Sequence, residues 1–145
     1  MIVMSTIVAI LILCRLLLKH LEAQSKHPRG RIGVWMMRLW NRAYLPMVEW
    51  ALSQLPRRSF ENILDTGVGN GASTALLHSR FPRSRIIGID ISEKAIAEAG
   101  RNRTTNVFFD VKDVEDTGYP GESFDLVCAF QTHFHWPYLE NSLRE

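Results

Sequence analysis

A strand signal and a helix signal are joined by a run in which three glycines fall at alternate positions. No other feature constrains the fold as much. The run is Asp65-Thr66-Gly67-Val68-Gly69-Asn70-Gly71. Before it, Phe60-Glu61-Asn62-Ile63-Leu64 has the apolar character of a short buried strand. After it, residues 72–81 read as a helix. Glycine allows the backbone to turn tightly there and to approach a ligand with no Cβ in the way. The helix that follows directs its free N–H groups into the turn. A cradle for a nucleotide-type ligand is the expectation.

The identity of that ligand depends on the residues around the glycines. Gly67-Val68-Gly69-Asn70-Gly71-Ala72 satisfies the G-x-G-x-x-A dinucleotide pattern, and Asp90 lies 21 residues beyond Gly69 (90 − 69). Two features point elsewhere. Asp65 stands where a carboxylate would crowd a pyrophosphate but could orient a ligand amine. Gly71 opens the loop beyond what a dinucleotide turn needs. On these residues the chain resembles the class I S-adenosylmethionine-dependent methyltransferases, whose first motif reads D-x-G-x-G-x-G.

The resemblance continues along the chain. Ile86-Ile87-Gly88-Ile89-Asp90-Ile91-Ser92 is similar to the family's second strand and its acidic end. It implies that Asp90 binds both ribose hydroxyls, with Ile91 beside it. Lys112-Asp113-Val114 resembles the segment after the third strand, with lysine in place of the usual glycine. It implies that Asp113 and the backbone of Val114 read the adenine. Phe124 to Phe130 resembles the fourth strand, which places Gln131 beside the methyl donor. Trp136 to Glu140 is similar to the start of the next helix. The implied cofactor set is Asp65, Gly67, Gly69, Gly71, Asp90, Ile91, Asp113, Val114 and Gln131, for S-adenosylmethionine.

Plainer readings stand beside these. Asp65 could cap the turn, Asp90 could be a solvated strand end, and Asp113 belongs to an acidic run with Asp110, Glu115 and Asp116. His133 and His135 are the candidates for a general base on the acceptor side; alternatively they pack. They lack a third ligand of matching spacing, so no metal site is expected. Neither a Ser-His nor a Cys-His nucleophile arrangement is visible, and Cys128, in an apolar strand, should be inert. Cys14 and Cys128 are not expected to form a bridge.

The expected fold is α/β: a Rossmann-like doubly wound parallel sheet, C-terminally incomplete, preceded by an apolar helix. Strands are expected at about 61–65, 85–91, 106–110 and 124–130, and helices at about 72–81 and 92–103, the latter capped by Ser92. Another helix, from Tyr44 toward Pro56, should lie against the sheet. Residues 44–145 would then be a partial methyltransferase-like domain, lacking the strands that the family adds after its fourth. That leaves an exposed fourth strand through which the chain could self-associate.

The start of the chain has a different character. Residues 1–18 are almost wholly apolar and as a helix would extend about 27 Å, which suggests a transmembrane or signal-anchor segment. Residues 19–43 form a basic amphipathic linker. Residues 1–58 carry nine Lys/Arg against two acids (+7), and residues 59–145 eight against thirteen (−5), for an overall +2. The basic cluster of Lys19, Lys26, Arg29, Arg31, Arg38 and Arg42 suits an anionic bilayer surface and would leave the domain facing the cytoplasm. Membrane association through residues 1–42 is therefore expected, with a cytoplasmic location otherwise; nucleic acid is not an expected partner.

The functional expectation is methyl transfer from S-adenosylmethionine to a small-molecule or lipid acceptor. The alternatives are a non-catalytic cofactor- or partner-binding module and, less favoured, an NAD-dependent oxidoreductase.

Overall fold

A computed structural model describes residues 2–26 and 30–145. Two helices, α1 (Ile2–Lys26) and α2 (Gly30–Gln54), precede an alternating series. The series runs β1 (Asn62–Thr66), α3 (Ala72–Arg80), β2 (Arg85–Asp90), α4 (Glu93–Ala99), β3 (Val107–Val111) and β4 (Leu126–Ala129), and α5 (Leu139–Arg144) ends it. All strand pairs are parallel, and the sheet order is β3-β2-β1-β4. The chain thus moves outward from β1 to β3 and then returns to the other side of β1. That reversal creates a crevice at the carboxyl ends of β1 and β4, where doubly wound sheets bind ligands.

The alternation of side chains along each strand explains the two core layers. Ile63, Ile86, Val107 and Phe109 face one layer, with Val48 and Leu52 of α2, Leu77 of α3 and Ala99 of α4. Leu64, Ile87 and Ile89 face the other, where Phe108, Tyr119 and Phe124 pack. Burying an aliphatic side chain of this size is worth about 1.5–3 kcal/mol, so the central strands hold the sheet. Gly88 keeps β2 close to its neighbours. A Cβ there would sit 2.8 Å from the Phe109 ring and 2.9 Å from Val68. At the strand starts, the Asp125 carboxylate accepts from the Glu61 and Asn62 amides at 2.7 and 2.8 Å and ties β4 to β1.

All four strands and the helices after β1 and β2 appear where expected, with ends shifted by a few residues. The fourth strand is an edge, as expected. The helix expected from Tyr44 is the latter part of α2, which begins at Gly30 and runs through Pro46. No element boundary falls at residue 43.

The expected membrane anchor is corrected. Among the described residues no helix is long and apolar enough to cross a membrane. Arg15 interrupts the apolar stretch of α1, and Lys19 and His20 follow it. The spanning helix, the membrane association and the orientation inferred from them are withdrawn. Met1 of that anchor and Arg29 of the basic cluster lie outside the described residues.

Candidate functional site

The loop between β1 and α3 is built on three left-handed glycines, with φ of 68° at Gly67, 55° at Gly69 and 81° at Gly71. The Gly67 and Val68 amides donate to the Ile89 carbonyl at 2.7 and 3.1 Å, which folds the loop onto the end of β2. Gly71 occupies the N-cap of α3 with no side-chain cap, so the first amides of that helix face the loop. The loop glycines differ in surroundings. A Cβ on Gly67 would meet the Thr132 hydroxyl oxygen at 2.0 Å, and one on Gly71 would meet Ala99 at 3.0 Å. A Cβ on Gly69 would meet nothing within 4 Å, so the middle of the loop borders open space.

Asp90 ends β2 beside this space. Its Oδ2 accepts from the Gly69 amide and its Oδ1 from the Ser92 amide, both at 2.9 Å. Ser92 in turn caps α4, its Oγ accepting from the Ala95 amide at 3.3 Å. The separation of 21 residues is thereby closed to a hydrogen bond. Ile91, next in the chain, is exposed at 61%.

Asp65 lies beneath the loop and is only 1% exposed. Its Oδ2 accepts from Ser73 Oγ at 2.9 Å and Thr74 Oγ1 at 2.8 Å. Its Oδ1 is buried without a hydrogen-bond partner. Burial pushes this carboxyl up to about 6, against the two hydroxyl hydrogen bonds, which lower it. The same charge adds to burial in raising the Tyr44 phenol and the Cys128 thiol, each to about 12. Cys128 is therefore a protonated, inert thiol, as its strand position suggested. Both cysteines are free.

The third side of the site comes from the ends of β3 and β4. The Lys112 amide donates to the Asp90 carbonyl at 3.1 Å and brings the next residues alongside β2. Asp113 Oδ1 accepts from the Glu115 amide at 3.0 Å, and Asp113 pairs with Asp116 in an isolated bridge. Asp113 thus shapes its own turn while remaining exposed, and Val114 is half-buried. After β4, Gln131 adopts a φ of 56°, and its side-chain Nε2 donates to Met47 Sδ at 3.5 Å. A positive φ is uncommon outside glycine and marks a constrained turn. That turn leads into a 3-10 segment, His133–His135, in which the His133 and Phe134 rings stack at 3.9 Å. His133 is half-buried and His135 exposed. Among the described residues no group of three or more metal-ligating side chains is present.

The structure therefore brings Asp65, the three glycines and Asp90 into one cluster, with Lys112–Val114 on one flank and Gln131–His135 on the other. Three participants escaped the sequence reading. Thr132 seals the loop against β4, while Met47 and Tyr44 reach it from α2. The apolar spacing of α2 marked it as a packing helix, and nothing in that spacing distinguishes these two side chains.

Comparison with known proteins bears on this cluster. The profile of the methyltransferase domain family matches residues 63–145. Trans-aconitate 2-methyltransferase of Escherichia coli O6:H1 is 43% identical over 84 residues, covering 58% of this chain and 32% of that protein. Its counterpart in Deinococcus radiodurans is 34% identical over 75 residues, covering 52% and 28%. The chain spans about a third of the length of the curated relatives it matches. Among solved structures, the plantazolicin methyltransferase BpumL, in complex with a triazolic desmethylPZN analog and SAH, superposes with a TM-score of 0.63 at 16% identity, covering 79% of this chain and 47% of that one. A chain from the complex with the Haloferax volcanii Trm112 methyltransferase activator gives 0.67 at 20% identity, covering 81% and 54%. These two likenesses show the fold.

Proposed function

The chain belongs to the methyltransferase domain family, the class I S-adenosylmethionine-dependent type, and on that premise we propose that the cluster at the ends of β1 and β2 binds S-adenosylmethionine for methyl transfer. The observation that carries this reading is the pairing of Asp90 with the open glycine loop. The Gly69 amide and the Asp90 carboxylate lie 2.9 Å apart, at the edge of a space that a Cβ on Gly69 would enter unopposed.

The residues fit such a ligand. A carboxylate offers about four acceptor positions, and two on Asp90 are taken by amides, which leaves capacity for a ribose diol. Hydrogen bonds of that charged kind contribute roughly 1.5–3 kcal/mol each. The orphan oxygen of Asp65 supplies uncompensated negative charge under the loop, suited to a ligand amine. Gly67, Gly69 and Gly71 keep the backbone bare. Ile91 is apolar and exposed where it can lie against the ribose and base, and Asp113 and the Val114 amide read the adenine edge. Gln131 borders the donor end.

When bound, S-adenosylmethionine supplies an activated methyl on a sulfonium sulfur. The protein's task is then to hold the acceptor in line and to exclude water, and positioning alone can account for much of such a barrier. The relatives' name states trans-aconitate, which points to a carboxylate-bearing small acceptor. A carboxylate oxygen is already ionised at neutral pH and needs no base. His133 and His135 would then hold the acceptor, and would deprotonate it only if it were an alcohol or amine.

Family membership removes the oxidoreductase alternative. A module that binds the cofactor without transfer is the second reading; β4 is an edge strand among the described residues, and Val127 is 59% exposed. The same edge is the surface for any self-association. Equilibrium binding of S-adenosylhomocysteine to wild type and to Asp90→Ala tests the proposed ribose contact. A loss of about tenfold or more is expected; equal affinity in a folded variant would refute the contact.

A further inference from the structure

At the amino ends of β1 and β2, away from the glycine loop, the turn after α2 and the turn after α3 border an open, solvent-facing concavity of about 660 Å³. That size is typical of small-ligand sites. Its floor is Phe60 and Phe81, both buried, meeting edge to face at 5.3 Å. Ser84 Oγ donates to the Phe60 carbonyl at 2.6 Å and locks the two turns together. Around this floor stand Arg57, Arg58, Arg80 and Arg83, and no carboxylate lines the cavity.

Two of the arginines lie over the aromatic floor. The Arg58 guanidinium lies 4.7 Å over the Phe60 ring and that of Arg80 lies 5.6 Å over the Phe81 ring. Stacking of this kind fixes the planar fork while leaving its N–H edges available. None of the four has an ion-pair partner among the described residues. Arg58 is partly offset by the Asp125 carboxylate, which it helps to hold below its ordinary value and which also accepts from the Glu61 and Asn62 amides. Four like charges around one concavity repel one another, so an anion that bridges them is bound favourably.

We propose that this cavity is a second ligand site, for an oligophosphate anion such as the di- or triphosphate of a small molecule. The arginine forks match phosphate oxygens, and a triphosphate brings charge comparable to the four guanidiniums, which a single carboxylate would not. The concave shape favours a compact anion over an extended polymer. The site is separate from the cofactor cluster, because the five residues of β1 place the two sheet ends on the order of 17 Å apart. It does not depend on what the cradle binds.

The test is calorimetric titration of sodium tripolyphosphate into the full chain at fixed ionic strength, with and without S-adenosylhomocysteine. Saturable one-site binding is expected, unaffected by S-adenosylhomocysteine and weakened by about tenfold or more in Arg57→Gln/Arg83→Gln. Arg57→Lys/Arg83→Lys, which keeps charge but loses the fork, should fall between. Arg103→Gln/Arg144→Gln, which removes equal charge elsewhere, should change affinity by less than about threefold. Circular dichroism confirms that each variant is folded. Any one of the following overturns the proposal: absence of saturable binding to wild type, equal loss in both glutamine pairs, displacement by S-adenosylhomocysteine, or tight binding of a single-stranded oligonucleotide with which tripolyphosphate does not compete.

Discussion

Gly67 and Thr132 approach so closely that a Cβ on the glycine would lie 2.0 Å from the threonine hydroxyl and 2.5 Å from its Cβ. The first turn of the glycine loop and the turn after β4 are thus one packed unit. Residues 65 positions apart (132 − 67) set each other's conformation.

Gly67→Ala should therefore be destabilising by two routes. The left-handed φ of 68° costs a Cβ-bearing residue about 1–2 kcal/mol, and the overlap adds about 1–3 kcal/mol. Thr132→Ala should not rescue it, because the Thr132 Cβ is itself in the way, whereas Thr132→Gly should recover the overlap and leave the φ cost. Urea denaturation of the two double variants distinguishes these outcomes.

Asp65 makes stability depend on pH in an unusual direction. Its folded carboxyl is raised to about 6 from an ordinary 3.8, so between those values the folded chain holds a proton that the unfolded chain has lost. Stability from this group is accordingly greatest below pH 3.8 and falls as pH rises to about 6, by roughly 3 kcal/mol in all. Asp65→Asn, which can still accept from Ser73 and Thr74, should flatten that fall. Denaturation midpoints from pH 4 to 7 check it.

The same charge bears on ligand binding. If a ligand amine is held by ionised Asp65, affinity for S-adenosylhomocysteine should rise as pH passes upward through about 6. The rise should be absent in Asp65→Asn, as measured by titration at each pH.

The two thiols should behave differently. Cys14 is exposed, while Cys128 is buried and its thiol is raised to about 12. An aromatic disulfide reagent should consume one thiol per folded chain and the second only on unfolding. Rapid reaction of both in the native chain would show that β4 is open to solvent.

Much of this site was legible because it is local. The spacing of Gly67, Gly69 and Gly71 dictates the loop, the apolar runs on either side dictate β1 and α3, and Asp90 ends a strand whose register is set by its buried isoleucines. What escaped depends on tertiary contacts. Thr132, Met47 and Tyr44 reach the loop from distant elements, and no periodicity marks them. Asp125, just before β4, binds the Glu61 and Asn62 amides at the start of β1, a contact that nothing in its local sequence marks. The basic residues after the apolar leader suggested a linker, but arginine and lysine are good helix formers, and α2 extends back to Gly30. The anchor reading is overturned because, among the described residues, no helix is long and apolar enough to cross a membrane; Arg15 lies within the apolar stretch of α1.

The most direct test of the central claim is calorimetric titration of the full chain with S-adenosylhomocysteine, with NAD as the control ligand. The account predicts saturable one-site binding of S-adenosylhomocysteine, at about micromolar affinity, and none of NAD. Binding of neither ligand by a chain that circular dichroism shows to be folded, or binding of NAD in preference, would contradict it.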